Sequence, residues 1–346
     1  MLELALLCAS AAQAFDGEDL AATADRDRVE ADLRALTGHD PVDSAEGMVS
    51  LVSRSIHHPH VDLAGAWLEE AFAAIAGVQV ERETFETHGE SGLFNVVAEL
   101  PGHDPDAPVV VLAAHYDSTA ELDPEPWDAS IDPAPGADDD ASGVAAILEA
   151  ARLLAQDPDG FSRTLRFVAF SAEEVGLVGS FHHVDTLAAD SVELALVLDP
   201  VGYDPGDADI LWFTYDVQWA EQAEALESAA VDLAPDLTVY GLDHESFGGD
   251  SRSDHYPFWQ AGLPAVHLGT FPQPPTYHTR GDDLDVVDLD FVTQVAGLVA
   301  AHAGALAIPG PAEEERLLAC EAAPQRSLPG LLAALLLVLI PARRRA

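Results

Sequence analysis

Three consecutive carboxylates, Asp138, Asp139 and Asp140, stand between the turn-forming Pro135-Gly136 and an apolar helical stretch at 144–154. A helix start needs one capping Asp, and an acidic first turn is favourable without any ligand. What sets this stretch apart is where the other donors fall. His115 ends one apolar run, Glu173-Glu174 follows a second, and Asp199 closes a third. A fourth run is followed by a loop containing Tyr277-His278-Thr279. The inventory is two imidazoles and several carboxylates, with no thiolate. Such N/O donors suit zinc, and also manganese or cobalt. One carboxylate can bridge two ions, one oxygen to each, which is how co-catalytic pairs sit ~3.5–4 Å apart. Another carboxylate must stay off the metal to move a proton. The adjacent Glu173 and Glu174 can divide those duties between them.

The elements that must position these groups are legible as patterns. Residues 109–114, 164–171, 194–198 and 263–268 are nearly continuous apolar runs, as strands buried on both faces require. Residues 78–87 and 93–100 alternate like half-exposed strands, joined by the turn-prone 89–92. Helical spacing marks 27–36, 61–75, 144–154, 176–187, 217–233, 255–261 and 287–306. This alternation predicts an α/β fold: a single domain with a mixed, mostly parallel central sheet and helices on both faces. Ligands of such sheets collect beyond the carboxyl ends of the strands. His115, Glu173-Glu174 and Asp199 all fall there.

The charge is extreme. Among 346 residues, 61 acids face 15 bases, every base is Arg, and the net charge is -46. Nucleic acid and anionic membrane surfaces are excluded as partners, while a free amine or a metal ion is suited. The two cysteines are Cys8 and Cys320, so the region between them is expected to hold together without disulfides. Residues 1–14 are apolar and end Ala12-Gln13-Ala14, a signal-peptide cleavage pattern. The expected organisation is a signal peptide at 1–14, a catalytic domain at 15–308, a linker at 309–327 and a hydrophobic tail at 328–346 with Arg343-Arg344-Arg345. The apolar run 328–340 would reach only ~20 Å as a helix, against ~30 Å of hydrocarbon. Cys320, a short apolar run and an Arg cluster together resemble the bacterial sorting tails processed by myxosortase-type enzymes. That resemblance implies export, with processing and lipid attachment at Cys320, and membrane association only through the tail.

The ordered set of motifs between residues 60 and 305 is similar to a known family. His115-x-Asp117, Gly136-Ala137-Asp138-Asp139-Asp140-Ala141-Ser142-Gly143, Ala172-Glu173-Glu174-x-Gly176, Leu198-Asp199, Ser253-Asp254-His255 and Tyr277-His278-Thr279 resemble the co-catalytic di-zinc aminopeptidases of peptidase family M28. The resemblance implies a zinc-exopeptidase fold, two zinc ions (or cobalt or manganese), and peptide substrates with a free N-terminus. At matching positions it implies that His115 and Asp199 bind one ion, that Glu174 and His278 bind the other, and that Asp138 bridges them. Glu173 becomes the general base, and Asp117 and Asp139 the carboxylates that orient ligand imidazoles. Some members carry a substrate-facing Tyr in a small disulfide loop before Ser-Asp-His. Here 247–252 reads Phe-Gly-Gly-Asp-Ser-Arg, with neither Tyr nor Cys. Oxyanion support is then left to the metals, Arg252 or Tyr256. The alternatives are a glutaminyl-cyclase-like transferase, which needs one zinc, a carboxypeptidase or dipeptidase, and a non-catalytic surface-binding homologue.

Other residues are set aside. His57, His58 and His60 lie around Pro59 without carboxylate neighbours in sequence and are expected to be solvent-exposed. His182-His183 are expected on a helix surface, and His267, Trp67, Trp212 and Trp259 in the core. Gly249-Asp250-Ser251-Arg252-Ser253 lacks the closing Gly of a nucleophile elbow.

Overall fold

A computed structural model describes residues 15–308, apart from 46, 88, 158, 159, 207, 247 and 248. The expected signal peptide, linker and tail, and both cysteines, lie outside the described residues. In chain order the strands are β1 (Gln79–Thr87), β2 (Glu90–Leu100), β3 (Val109–His115), β4 (Leu165–Phe170), β5 (Val192–Leu198), β6 (Ile210–Tyr215), β7 (Thr238–Asp243) and β8 (Ala265–Gly269). They form one sheet in the order β1-β2-β4-β3-β5-β8-β6-β7. The four apolar runs are its centre, β4-β3-β5-β8, and every pairing among them is parallel. The β1-β2 hairpin and β6 join antiparallel at the two sides, and β7 pairs parallel with β6. The sheet is therefore mixed, with a parallel core, as the sequence pattern predicts.

Alternation along the central strands explains the two layers of helices. In β3, Val110, Leu112 and Ala114 enter one hydrophobic cluster, and Val111 and Ala113 enter the other. In β5, Leu194, Leu196 and Leu198 share the first cluster, and Ala195 and Val197 the second. Both faces must be covered, because each buried aliphatic side chain is worth ~1.5–3 kcal/mol relative to exposure. α2 (Arg26–Leu36), α3 (His60–Ala73), α4 (Gly143–Leu154) and α8 (Leu289–Ala307) contribute to the first cluster. α5 (Val178–Val184) and α7 (His255–Gln260) contribute to the second. α8 is long and apolar enough to cross a membrane by length and composition, yet it is mostly buried as a core helix.

Three elements were not anticipated. α1 (Gly17–Ala21) is a single turn capped by Asp16 within the acidic lead-in. β6 and β7 extend the sheet where only a loop and a helix were expected; α6 (Ala220–Leu233) lies between them, after a 3₁₀ turn at Val217–Trp219. The turn between β1 and β2 is tighter than 89–92, because Thr87 already pairs with Glu90.

Candidate metal centre

The three adjacent aspartates have three separate jobs, set by a turn that is not helical. Asp139 (φ -109°, ψ 98°) and Asp140 (φ -128°, ψ 45°) leave the helical region just before α4 begins. Gly136 opens the turn at φ 55°, where a Cβ would lie 2.4 Å from the carbonyl oxygen of Asp139. Only glycine fits there. Asp140 accepts from the Gly143 N–H at 3.0 Å and from the His115 N–H at 3.2 Å, so it caps α4 and ties it to the end of β3. Asp138 accepts from the Gly202 N–H at 2.8 Å. Asp139 points between the two imidazoles: its Oδ1 is 3.0 Å from His115 Nε2 and its Oδ2 is 3.0 Å from His278 Nε2.

That placement differs from the one the sequence suggests. Asp138, expected between the two halves of the centre, faces Gly202 instead, and Asp139, expected to support an imidazole from outside, takes the central position. Adjacent residues in an irregular turn point in different directions, so a shift of one position changes which carboxylate faces the imidazoles.

Around Asp139 the donors form two groups. His115, Asp139 and Asp199 make one, with His115 Nε2 3.5 Å from Asp199 Oδ1. Asp139, Glu174 and His278 make the other, with His278 Nε2 3.2 Å from Glu174 Oε2. Donor atoms ~2.0–2.1 Å from one tetrahedral zinc lie roughly 3.3 Å apart. The observed 3.0–3.5 Å separations fit that set. The charge also fits. Among the described residues, no Arg forms an ion pair with Asp139, Glu173, Glu174 or Asp199, and Glu174 Oε1 is buried without a partner. Burial pushes Glu173 and Glu174 well above the usual carboxylate range, and neighbouring carboxylates add to the effect. Burial disfavours the His115 imidazolium, yet Glu173 and Asp199 hold it well above its ordinary value. The centre is short of positive charge, which a proton or a metal cation can supply.

Backbone contacts fix the orientations of the donor side chains. His115 Nδ1 is 3.1 Å from the carbonyl oxygen of Asp117. A carbonyl only accepts, so Nδ1 carries a proton and Nε2 faces the centre. The Asp117 carboxylate is 3.7 Å from that ring and is engaged elsewhere. It accepts from the N–H of Glu173 at 3.0 Å and from the N–H of Glu174 at 3.3 Å. Asp117 thus sets the Glu173-Glu174 pair as well as flanking His115. Two non-glycine residues beside the donors are left-handed, Ala172 at φ 61° and His278 at φ 54°, a strain of the kind that collects at functional sites.

The donors open into a cavity of about 310 Å³ lined by Asp139, Glu173, Glu174, Asp199, Arg252 and Tyr277 among others. Arg252 lines this cavity. Tyr256 lines a neighbouring cavity of about 290 Å³ with His244, Trp259 and Asp216, and its hydroxyl accepts from Gln260 Nε2. Tyr277 is the tyrosine at the centre, stacked on His278 at 3.8 Å between ring centroids.

Sequence reasoning missed two buried charges below the centre, Arg54 and Asp282, which no local pattern marks. It also missed a hydrogen-bonded group behind Asp199. His267, in β8, contacts Asp250 Oδ2 through Nδ1 at 2.8 Å and the carbonyl oxygen of Asp199 through Nε2 at 2.6 Å. Burial lowers His267, but Asp250 outweighs it and raises the ring to about 9. His255 stacks on it with 4.6 Å between centroids and 8° between planes. Of these three, only His267 and Asp250 are hydrogen-bonded to each other; both ring nitrogens of His255 are buried without a hydrogen-bond partner, and one donor atom from each of Asp250, His255 and His267 lies within 4.8 Å of the others. The other histidines set aside have ordinary partners. His57 meets Glu90, His60 accepts from the Val52 N–H, and His58 is buried and accepts from the His60 N–H. His183, expected on a helix surface, is buried against Glu83.

Residues 95–303 match the profile of Peptidase family M28. The chain belongs to that family. Aminopeptidase YwaD of Bacillus subtilis is 33% identical over 202 residues, covering 56% of this chain and 40% of its own. The fold resembles the aminopeptidase LapA of Legionella pneumophila, with TM-score 0.69 and 24% identity over 85% of this chain and 75% of that one. BSAP, a zinc aminopeptidase from Bacillus subtilis, aligns at TM-score 0.52 and 28% identity, over 63% of this chain and 50% of that one. The chain therefore spans about two fifths of YwaD and half of BSAP.

Proposed function

We propose that this M28 member is an aminopeptidase with two zinc ions, which removes N-terminal residues from peptides. The observation that carries the reading is Asp139, whose two oxygens each lie 3.0 Å from a different imidazole. Asp139, His115 and Asp199 would hold one ion, and Asp139, Glu174 and His278 the other. Zinc in these positions supplies Lewis-acid polarisation of the scissile carbonyl and lowers the pKa of water from ~15.7 towards ~7.

Glu173 is the proton carrier in this reading. Asp117 fixes its backbone, and its side chain lines the cavity, where a carboxylate held off the metals can take and give a proton. It takes a proton from the attacking water and returns it to the leaving amine. The carboxylates around the cavity favour the α-ammonium of a free N-terminus. Arg252 and Tyr277 line the same cavity, and in this reading they would contact the carbonyl or the chain beyond it. A glutaminyl-cyclase-like transfer needs one zinc, and the complete double donor set argues for hydrolysis. Export, with anchoring through Cys320 and the tail, belongs to the same proposal; mass spectrometry of the C-terminus from the native host tests it.

The test of the activity is a panel of aminoacyl-anilides and matched N-acetylated peptides, assayed with a chelator and after zinc is returned. Cleavage of free but not acetylated N-termini, lost on chelation and restored by zinc, is expected. Zinc-independent cleavage, or equal cleavage of acetylated peptides, would overturn the reading.

A further inference from the structure

We propose that Asp282 and Arg54 are positioning residues that together fix Asp139 between the two imidazoles before any metal binds. The inference rests on the reading of Asp139 as the shared ligand and extends it to two residues outside the donor set.

The turn from Pro135 to Asp139 is gripped through its backbone by these two side chains. Asp282 is 1% exposed and accepts from the Asp138 N–H at 2.9 Å with one oxygen and from the Asp139 N–H at 3.1 Å with the other. Its own carbonyl accepts from the Ala137 N–H at 3.1 Å. Arg54, also 1% exposed, holds the opposite kind of group. It donates to the carbonyl oxygens of Pro135 and Gly136, and also to those of Leu36 and Tyr116. Carbonyls are held from one side and N–H groups from the other, so the turn has little freedom to rotate.

The position of the two residues makes this more than a structural bond. Tyr116 sits between His115 and Asp117, so Arg54 ties the Asp139 turn to the end of β3. Asp282 lies on the segment that carries His278, and its N–H donates to Thr279 at 3.1 Å. The same segment therefore sets His278 and holds the backbone of Asp139. A buried carboxylate and a buried guanidinium are costly unless fully paired. Here their pairing converges on the one turn that must be placed accurately.

Asp282→Asn is the decisive variant. The amide keeps the shape and one acceptor oxygen, but its NH₂ faces an N–H where an oxygen stood. Loss of an orienting partner of this kind typically costs ~10–100-fold in metal affinity. Zinc affinity of the chelated protein would be measured by competition, together with the visible spectrum of the cobalt-loaded form and the Tm without metal. A ~10–100-fold weaker zinc affinity and an altered cobalt spectrum, with a cooperative melt retained, are expected. Wild-type affinity and spectrum with only a lowered Tm would overturn the proposal, since the bond would then be structural alone. Hydrogen exchange on the wild-type protein provides a readout without a variant. The Asp138 and Asp139 amides should be protected before zinc is added; protection that appears only with zinc would also overturn it. Wild-type protein that takes up fewer than two zinc ions would mean that the reading of the centre has failed, whereas two ions in wild type with unchanged affinity in Asp282→Asn would sink this inference alone.

Discussion

Glu173→Gln separates proton transfer from metal binding. Glu173 Oε2 is 4.0 Å from His115 Nε2, farther than Asp139 at 3.0 Å or Asp199 at 3.5 Å. It is the carboxylate least engaged with the imidazoles, and its amide replacement should leave both ions in place. The backbone N–H at this position still donates to Asp117, so the geometry of Glu174 is preserved. What is lost is the ability to take and return a proton, a contribution of ~10²–10⁴-fold. At ~1.4 kcal/mol per decade that is roughly 3–5 kcal/mol of barrier. The cluster holds more buried carboxylate than it can pair, so the metal-free variant should melt no lower than metal-free wild type. The assay is kcat on an aminoacyl-anilide at saturating substrate, with zinc per chain measured on the same preparation. A kcat within a few-fold of wild type at full zinc content would refute the base assignment. Zinc content falling to one per chain would show instead that Glu173 is a ligand.

Two further outcomes follow from other residues. Arg280 donates to Asp123, Asp132 and the Pro126 carbonyl, while Leu122 donates to the His278 carbonyl, so this arginine clamps loop 121–133 over the His278 segment. Arg280→Met should release that loop, seen as faster limited proteolysis within 121–133 and a KM raised more than kcat is lowered; an unchanged digestion pattern would contradict the clamp. His302, 4% exposed in α8, is lowered by burial from 6.5 to about 4. A depressed folded value means stability fully present above pH 6.5 and lost as pH falls towards 4, about 3 kcal/mol in order of magnitude. His302→Leu should flatten the melting curve across that window, and an identical acid slope in the variant would exclude His302 as its source.

The parallel core was legible because β3, β4, β5 and β8 are buried on both faces and read as unbroken apolar runs. β6 and β7 were not. β7 reads Thr-Val-Tyr-Gly-Leu-Asp, has no fully buried residue at the edge of the sheet, and carries Gly241 in its middle, so it shows neither alternation nor a continuous run. The donor types were legible because the chemistry sits where the central strands end. The choice among three adjacent aspartates was not, because Asp139 and Asp140 leave the helical region and a helical phase cannot be extended through them. The residues that orient the turn, Arg54 and Asp282, lie 82 residues before and 144 residues after their bonding partners. Only the fold brings those segments together.

The central claim is that Asp139, rather than its neighbour, is shared by two zinc ions. Zinc per chain in Asp139→Asn and Asp138→Asn, each purified with wild type under the same zinc buffer, tests it most directly. Asp138→Asn keeps an acceptor for the Gly202 N–H and should retain two ions. Asp139→Asn removes the carboxylate that faces both His115 and His278 and should hold one ion or none. Two tightly bound ions in Asp139→Asn, with their loss in Asp138→Asn, would contradict the account.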